Sequence, residues 1–177
     1  MNADRDAIER LESLRIPYYI TGSWALAAYA EPRMTRDIDI VLDITPTDYD
    51  RRVRPAFEDA WLVNDPIDLG GRFMAGVIHR TEIARADFIF GRKDAFARSA
   101  MERRRRNDHP VLGTTWLIAP EDLVLAKLEW SDGGASELQV RDVRSIFRLN
   151  PDLDRAYLDG YAALLGVTEL MEAVRAG

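Results

Sequence analysis

Two aspartates interrupt an apolar run at Asp37-Ile38-Asp39-Ile40-Val41. Aspartate is depleted from strands, so its presence here asks for a reason. Side chains two residues apart leave the same face of a strand, roughly 6–7 Å apart along it. Asp37 and Asp39 therefore project together, while Ile38 and Ile40 turn the other way into the core. A pair of converging carboxylates suits a hard cation, Mg²⁺ above all, which keeps water and phosphate oxygens as its remaining ligands. Upstream lies Gly22-Ser23, after the short apolar run 18–21 and before the good helix formers of residues 24–29. Glycine lets the backbone approach a ligand closely. The free N–H groups at a helix N-terminus attract phosphate, and the serine hydroxyl adds a donor. A phosphate grip and a metal-binding carboxylate pair, one helix apart, are the parts needed for phosphoryl or nucleotidyl transfer.

The elements that must position these residues read as follows. Helical spacing of Ile8, Leu11 and Leu14 predicts a helix over 3–14, and Pro17 ends it. Residues 18–21 form a strand, 24–29 a helix stopped at Glu31-Pro32, and 37–43 the strand of the paired aspartates. Thr45-Pro46 opens a helix to about residue 60. Residues 72–81 and 83–90 are β-branched and aromatic and predict an antiparallel pair. A helix over 94–106, a strand over 111–118, and a helix from Pro120 to Trp130 follow. Ser136 and Gln139 fit a capping box for a helix to Leu149. Two short helices, over 153–165 and 168–176, close the chain. The order predicts an α+β body with a mixed sheet over 1–118, and a helical region packed on it over 119–177.

The bulk properties narrow the chemistry. The chain has 177 residues, 47% of them hydrophobic and 31% charged, the profile of a globular domain. With no cysteine, disulfides, thiolate metal sites and a cysteine nucleophile are excluded. His79 and His109 are too few and too far apart for a histidine metal centre, and no G-x-S-x-G elbow is present. The polar N-terminal residues and the lack of a long apolar run predict a cytoplasmic protein without a membrane span. The net charge of −6 speaks against a protein that coats nucleic acid with its whole surface.

The ordered set resembles the nucleotidyltransferase superfamily, and within it the AbiEii-like abortive-infection toxins and their bacterial relatives. Gly22, Ser23, Asp37 and Asp39 match the superfamily order, and Arg33, Thr35, Asp37 and Asp39 match the subgroup's R-x-T-x-D-x-D string. Asp87 stands where a third carboxylate on a later strand is expected. Glu121-Asp122-Leu123 to Lys127-Leu128 matches an E-D-L-x-x-x-K-L helix, and Arg141-Asp142 an R-D pair. The resemblance implies a Mg²⁺-dependent enzyme, with Mn²⁺ as a substitute, that moves a nucleotide from a nucleoside triphosphate to an acceptor hydroxyl. Asp37, Asp39 and Asp87 would be its catalytic and metal-binding residues. Gly22, Ser23, Arg33, Thr35 and Lys127 would hold the nucleotide. A toxin-like enzyme of this kind would act on an RNA end or a protein and would have a cognate antitoxin. Two further readings compete: an inactive nucleotide-binding or antitoxin-like module, and a small-molecule enzyme of the antibiotic-modifying type.

Three groups are left outside the site assignment. Arg103-Arg104-Arg105-Arg106 is the one charge run, and it is expected either to close a helix, where cations are favoured, or to guide RNA. Trp24, Trp61, Trp116 and Trp130 are expected in the core. Arg141 and Asp142 are expected to form an ion pair on a helix surface.

Overall fold

The computed structural model describes residues 2–131 and 133–176. Among the described residues, eight strands form one mixed sheet in the order β3-β5-β6-β2-β1-β8-β7, with β4 also paired to β5. The strands are β1 Tyr18–Ile20, β2 Asp37–Leu42, β3 Trp61–Val63, β4 Ile67–Asp68, β5 Phe73–His79, β6 Arg85–Phe90, β7 Arg105–His109 and β8 Gly113–Leu117. At the centre β2 runs antiparallel to β1 and parallel to β6, while β1 runs parallel to β8.

Alternation along the central strands divides the core in two. Tyr18, Ile20, Ile38, Ile40 and Phe88 face one layer, closed by α1 (Ala3–Ser13) and a helix that runs from Pro46 to Phe57. That helix is α3 (Pro46–Asp48), a π-helical turn at Tyr49–Val53 and α4 (Arg54–Phe57). Pro55 cannot donate to the carbonyl four residues back, and the wider turn sits just before it. Tyr19 faces the second layer, built from α2 (Gly22–Tyr29), α5 (Ala95–Arg103), α6 (Pro120–Glu129), α7 (Glu137–Leu149), α8 (Arg155–Leu165) and α9 (Thr168–Ala176). Asp37, Asp39 and Val41 share that face.

The predicted helix over 94–106 ends at Arg103, because Arg104 takes extended angles (φ −53°, ψ 144°) and the chain turns into β7. The arginine run therefore straddles a helix end and an edge strand. β7 and β3 have no clear apolar alternation, and β4 is only two residues long. The capping box at Ser136 is only half made. Its hydroxyl accepts from the Gln139 N–H at 3.5 Å, but the Gln139 side chain turns to Lys127 instead. No helix among the described residues is long and apolar enough to cross a membrane.

Candidate active site

The turn from β1 into α2 is tied to β2 by the Thr21 N–H, which donates to the Asp39 carbonyl at 2.9 Å. Gly22 follows with φ +63°, and a Cβ there would lie 2.0 Å from the Asp39 carboxylate. Only glycine fits both the angle and the space. Thr21 caps α2 without a side-chain hydrogen bond, which leaves the N–H groups of the first turn free to meet an anion. Ser23, next in line, is buried.

Across the sheet, the parallel register of β2 and β6 sets Asp39 opposite Asp87, and Asp37 opposite Arg85. The three carboxylates and one guanidinium thus share a sheet face. Arg85 donates to one Asp87 oxygen from Nε at 3.1 Å and from Nη2 at 2.9 Å, and its Nη1 lies 4.0 Å from Asp37. On β5, the residue opposite Asp87 is Gly76, where a Cβ would come within 3.1 Å of the Asp87 carboxylate. Burial, then the nearby Asp87 charge, push the Asp39 carboxyl up to about 6, with Lys127 and Arg33 pulling the other way. A carboxylate held at such cost in an apolar wall is a good acceptor for a cation. The oxygen donors of Asp37 and Asp39, on one sheet face, fit a divalent ion of the Mg²⁺ type.

Lys127 approaches from α6. It is 4% exposed, and its ammonium donates to Asp142 at 2.9 Å and to Gln139 at 3.1 Å. Burial lowers its pKa, and Asp142 holds the charge on. Asp142 also accepts from Arg33 Nε at 3.3 Å. It is therefore a buried joint between α6, α7 and the loop before β2, not half of a surface pair with Arg141. Thr35 shapes that loop, with its hydroxyl donating to the Asp37 carbonyl at 3.1 Å.

Behind Asp39 a cavity of about 460 Å³ opens between the sheet and helices α5 and α6. Gly22, Asp39 and Lys127 line one part of it, and Tyr19, Ile89 and Phe96 give it an apolar lining. Asp37, Asp87, Ser23, Arg33 and Thr35 lie outside its walls. At another part Glu129 accepts from Arg72 and from Arg92, each at 2.7 Å. Trp130, expected in the core, is 41% exposed and lies under the Arg72 guanidinium at 4.8 Å. Trp61 is fully buried, while Trp24 and Trp116 are half-buried.

Solved structures share this arrangement of elements. ANT(2")-Ia in complex with adenylyl-2"-tobramycin superposes with a TM-score of 0.57 at 13% identity, covering 90% of this chain and 92% of its own. An antigenic nucleotidyltransferase-like protein from Paracoccidioides brasiliensis gives 0.56 at 15% identity, over 98% and 91%. The fold is that of the nucleotidyltransferases. Lincomycin-bound LnuA, a lincosamide antibiotic adenylyltransferase, gives 0.50 at 14%, over 82% and 98%. No protein-family model and no curated protein sequence matches the chain.

Within this nucleotidyltransferase fold, the arginine run breaks into different tasks. Arg103 pairs with Glu121 at 2.7 Å and with Asp122 at 3.1 Å, and lies over the Tyr157 ring at 3.9 Å. Arg104 covers Trp116 at 4.7 Å. Only Arg105 and Arg106 stay exposed, on edge strand β7, where charge also protects the edge from pairing with another chain. Sequence alone does not single out Arg85 and Gly76 as parts of the site, and it marks Asp142 only as half of an R-D pair read as a surface ion pair. The position of Arg85 two residues before Asp87 is the available signal.

Proposed function

We propose that this chain is a nucleotidyltransferase that moves a nucleoside monophosphate from a triphosphate to an acceptor hydroxyl. The observation that carries this reading is the register of Asp39 beside Asp87, with the Asp39 carboxylate seated against Gly22 at the start of α2. The helical N–H groups after Thr21 and the Ser23 hydroxyl would hold phosphate oxygens. Asp37 and Asp39 would hold Mg²⁺, or Mn²⁺ in its place, with Asp87 completing the set. When bound, the metal neutralises the triphosphate and stabilises the entering and leaving oxygens. The nucleoside would occupy the cavity behind Asp39, which borders both Gly22 and Lys127. Asp87 would take the acceptor's proton. The acceptor oxygen then bonds the α-phosphorus as the bond to pyrophosphate breaks. Lys127, anchored by Asp142, would place its charge toward the phosphates, with Arg33 and Thr35 fixing the loop that carries Asp37.

The exposed position of Asp37, with 42% of its side chain open, leaves room for a large acceptor such as an RNA end or a protein. The R-x-T-x-D-x-D string supports an AbiEii-like, toxin-type role with an antitoxin partner. A small-molecule acceptor is the second reading, favoured by the likeness to folds that modify antibiotics. An inactive module is disfavoured by the full set of carboxylates. The test is incubation with each α-labelled triphosphate and Mg²⁺, with RNA in one arm and a small-molecule extract in the other. Label should move to one acceptor class with wild type and not with Asp39→Ala. Label moving equally with both proteins would end the proposal.

A further inference from the structure

Asp87 completes the metal set in the proposed mechanism, yet in the structure it already has a different partner. Asp37, Asp39, Asp87 and Arg85 occupy two pairs on one face of the β2–β6 register, Asp37 with Arg85 and Asp39 with Asp87, with Ile38 and Ala86 paired between them. Arg85 and Asp87 leave the same face of β6 because they are two residues apart. The guanidinium lies along that face, making two hydrogen bonds to Asp87 Oδ1 while 4.0 Å from Asp37 Oδ2. Gly76 on the neighbouring strand supplies no side chain, and a Cβ there would be 3.7 Å from Arg85 Nε. Among the described residues, no three acidic or histidine groups are gathered closely enough to ligate one ion together. Asp87 is 12% exposed at its side chain, so its charge needs a cationic partner within the protein or from outside.

We propose that Arg85 occupies the place between Asp37 and Asp87 that a second divalent cation would need, so that without nucleotide the chain binds one such ion, at Asp37 and Asp39. This rests on the metal assignment above. A cation bridging Asp37 and Asp87 would meet the positive guanidinium and would have to displace both of its bonds to Asp87. Arg85 itself is 47% exposed, so it has room to swing toward solvent and can be replaced without opening the core. Asp39 is outside its hydrogen-bonding reach and keeps the first site.

The experiment is Mn²⁺ titration of the full chain without nucleotide, followed by electron paramagnetic resonance of free Mn²⁺ and by calorimetry. Wild type should bind one ion per chain. Arg85→Gln should bind two, or show a second site at least ten times tighter than in wild type. Arg85→Lys, which keeps the charge, should stay near wild type. Asp87→Asn added to Arg85→Gln should remove the second ion and keep the first. Thermal melts without metal confirm that each variant is folded. Two equal sites in wild type, or a single site in Arg85→Gln, would overturn the role of Arg85 and leave the first metal site standing. No Mn²⁺ bound by any folded variant would overturn the metal assignment together with it.

Discussion

Two residues decide whether the site can exist at all. Gly22 has to be glycine twice over, once for its angle and once for the Asp39 carboxylate 2.0 Å from where a Cβ would sit. Gly22→Ala should cost about 1 kcal/mol or more from the angle alone, with an added penalty from the clash. That added penalty should vanish in the double variant with Asp39→Ala, which a double-mutant cycle by urea unfolding measures. Asp39 carries the second prediction. Its carboxyl is raised to about 6 from the 3.8 of an ordinary aspartate, so between those values the folded chain binds more protons than the unfolded one. Stability of the metal-free protein should therefore fall as pH rises through that window and stay lower above it. Asp39→Asn should be more stable than wild type above the window, by roughly 1–3 kcal/mol. Metal binding should show the opposite slope, weakening about tenfold per pH unit below the raised value. Paired melts and Mn²⁺ titrations across that range check both. At this scale the sequence is informative, since an Asp-x-Asp in an apolar run and a Gly-Ser break have few structural uses. Arg85 is harder to find, because its neighbour Asp37 is far away in the chain and meets it only through strand register.

At the scale of elements, α6 and α7 are joined under the site by Lys127 and Asp142, each less than 5% exposed at the side chain. Breaking a buried pair from one side leaves the other charge stranded, at a cost of about 3–5 kcal/mol. Asp142→Ala should lose about that much by thermal unfolding and weaken nucleotide binding. Lys127→Met with Asp142→Leu should recover most of the stability and none of the binding, which separates the fold from the function. The sequence marks Lys127 and Asp142 separately but not their pairing, because Asp142 sits on a strongly amphipathic helix beside exposed Arg141 and reads as its partner. Only the loop that delivers Arg33 shows that this turn of α7 is covered. The strands behave in a similar way. β1, β2, β5 and β6 have apolar or β-branched sequences that read as strands. β7, Arg105–His109, is polar throughout and pairs with β8 through its backbone and polar side chains such as Asp108, so its residues read as the tail of a helix.

The whole molecule has two core layers that share one sheet, and helices α6–α9 complete the second layer with α2 and α5. Arg103 fastens this arrangement, joining α5 to Glu121 and Asp122 on α6 and to Tyr157 on α8. Arg103→Ala should therefore cost about 3–5 kcal/mol by leaving buried Asp122 without its cation. Arg105→Glu with Arg106→Glu should change stability by less than about 1 kcal/mol. If these two exposed arginines guide RNA, that double change should weaken RNA association and lower its log–log salt slope by about 0.7–0.9 for each phosphate no longer neutralised. Unchanged RNA binding would remove β7 from the acceptor path. The central claim concerns the cleft itself, and calorimetry with each triphosphate in Mg²⁺ tests it most directly. One triphosphate should bind each chain, with binding abolished by chelator and by Asp39→Ala while the variant stays folded. A triphosphate that binds equally well in chelator or to Asp39→Ala, or a wild type that binds none, would contradict it.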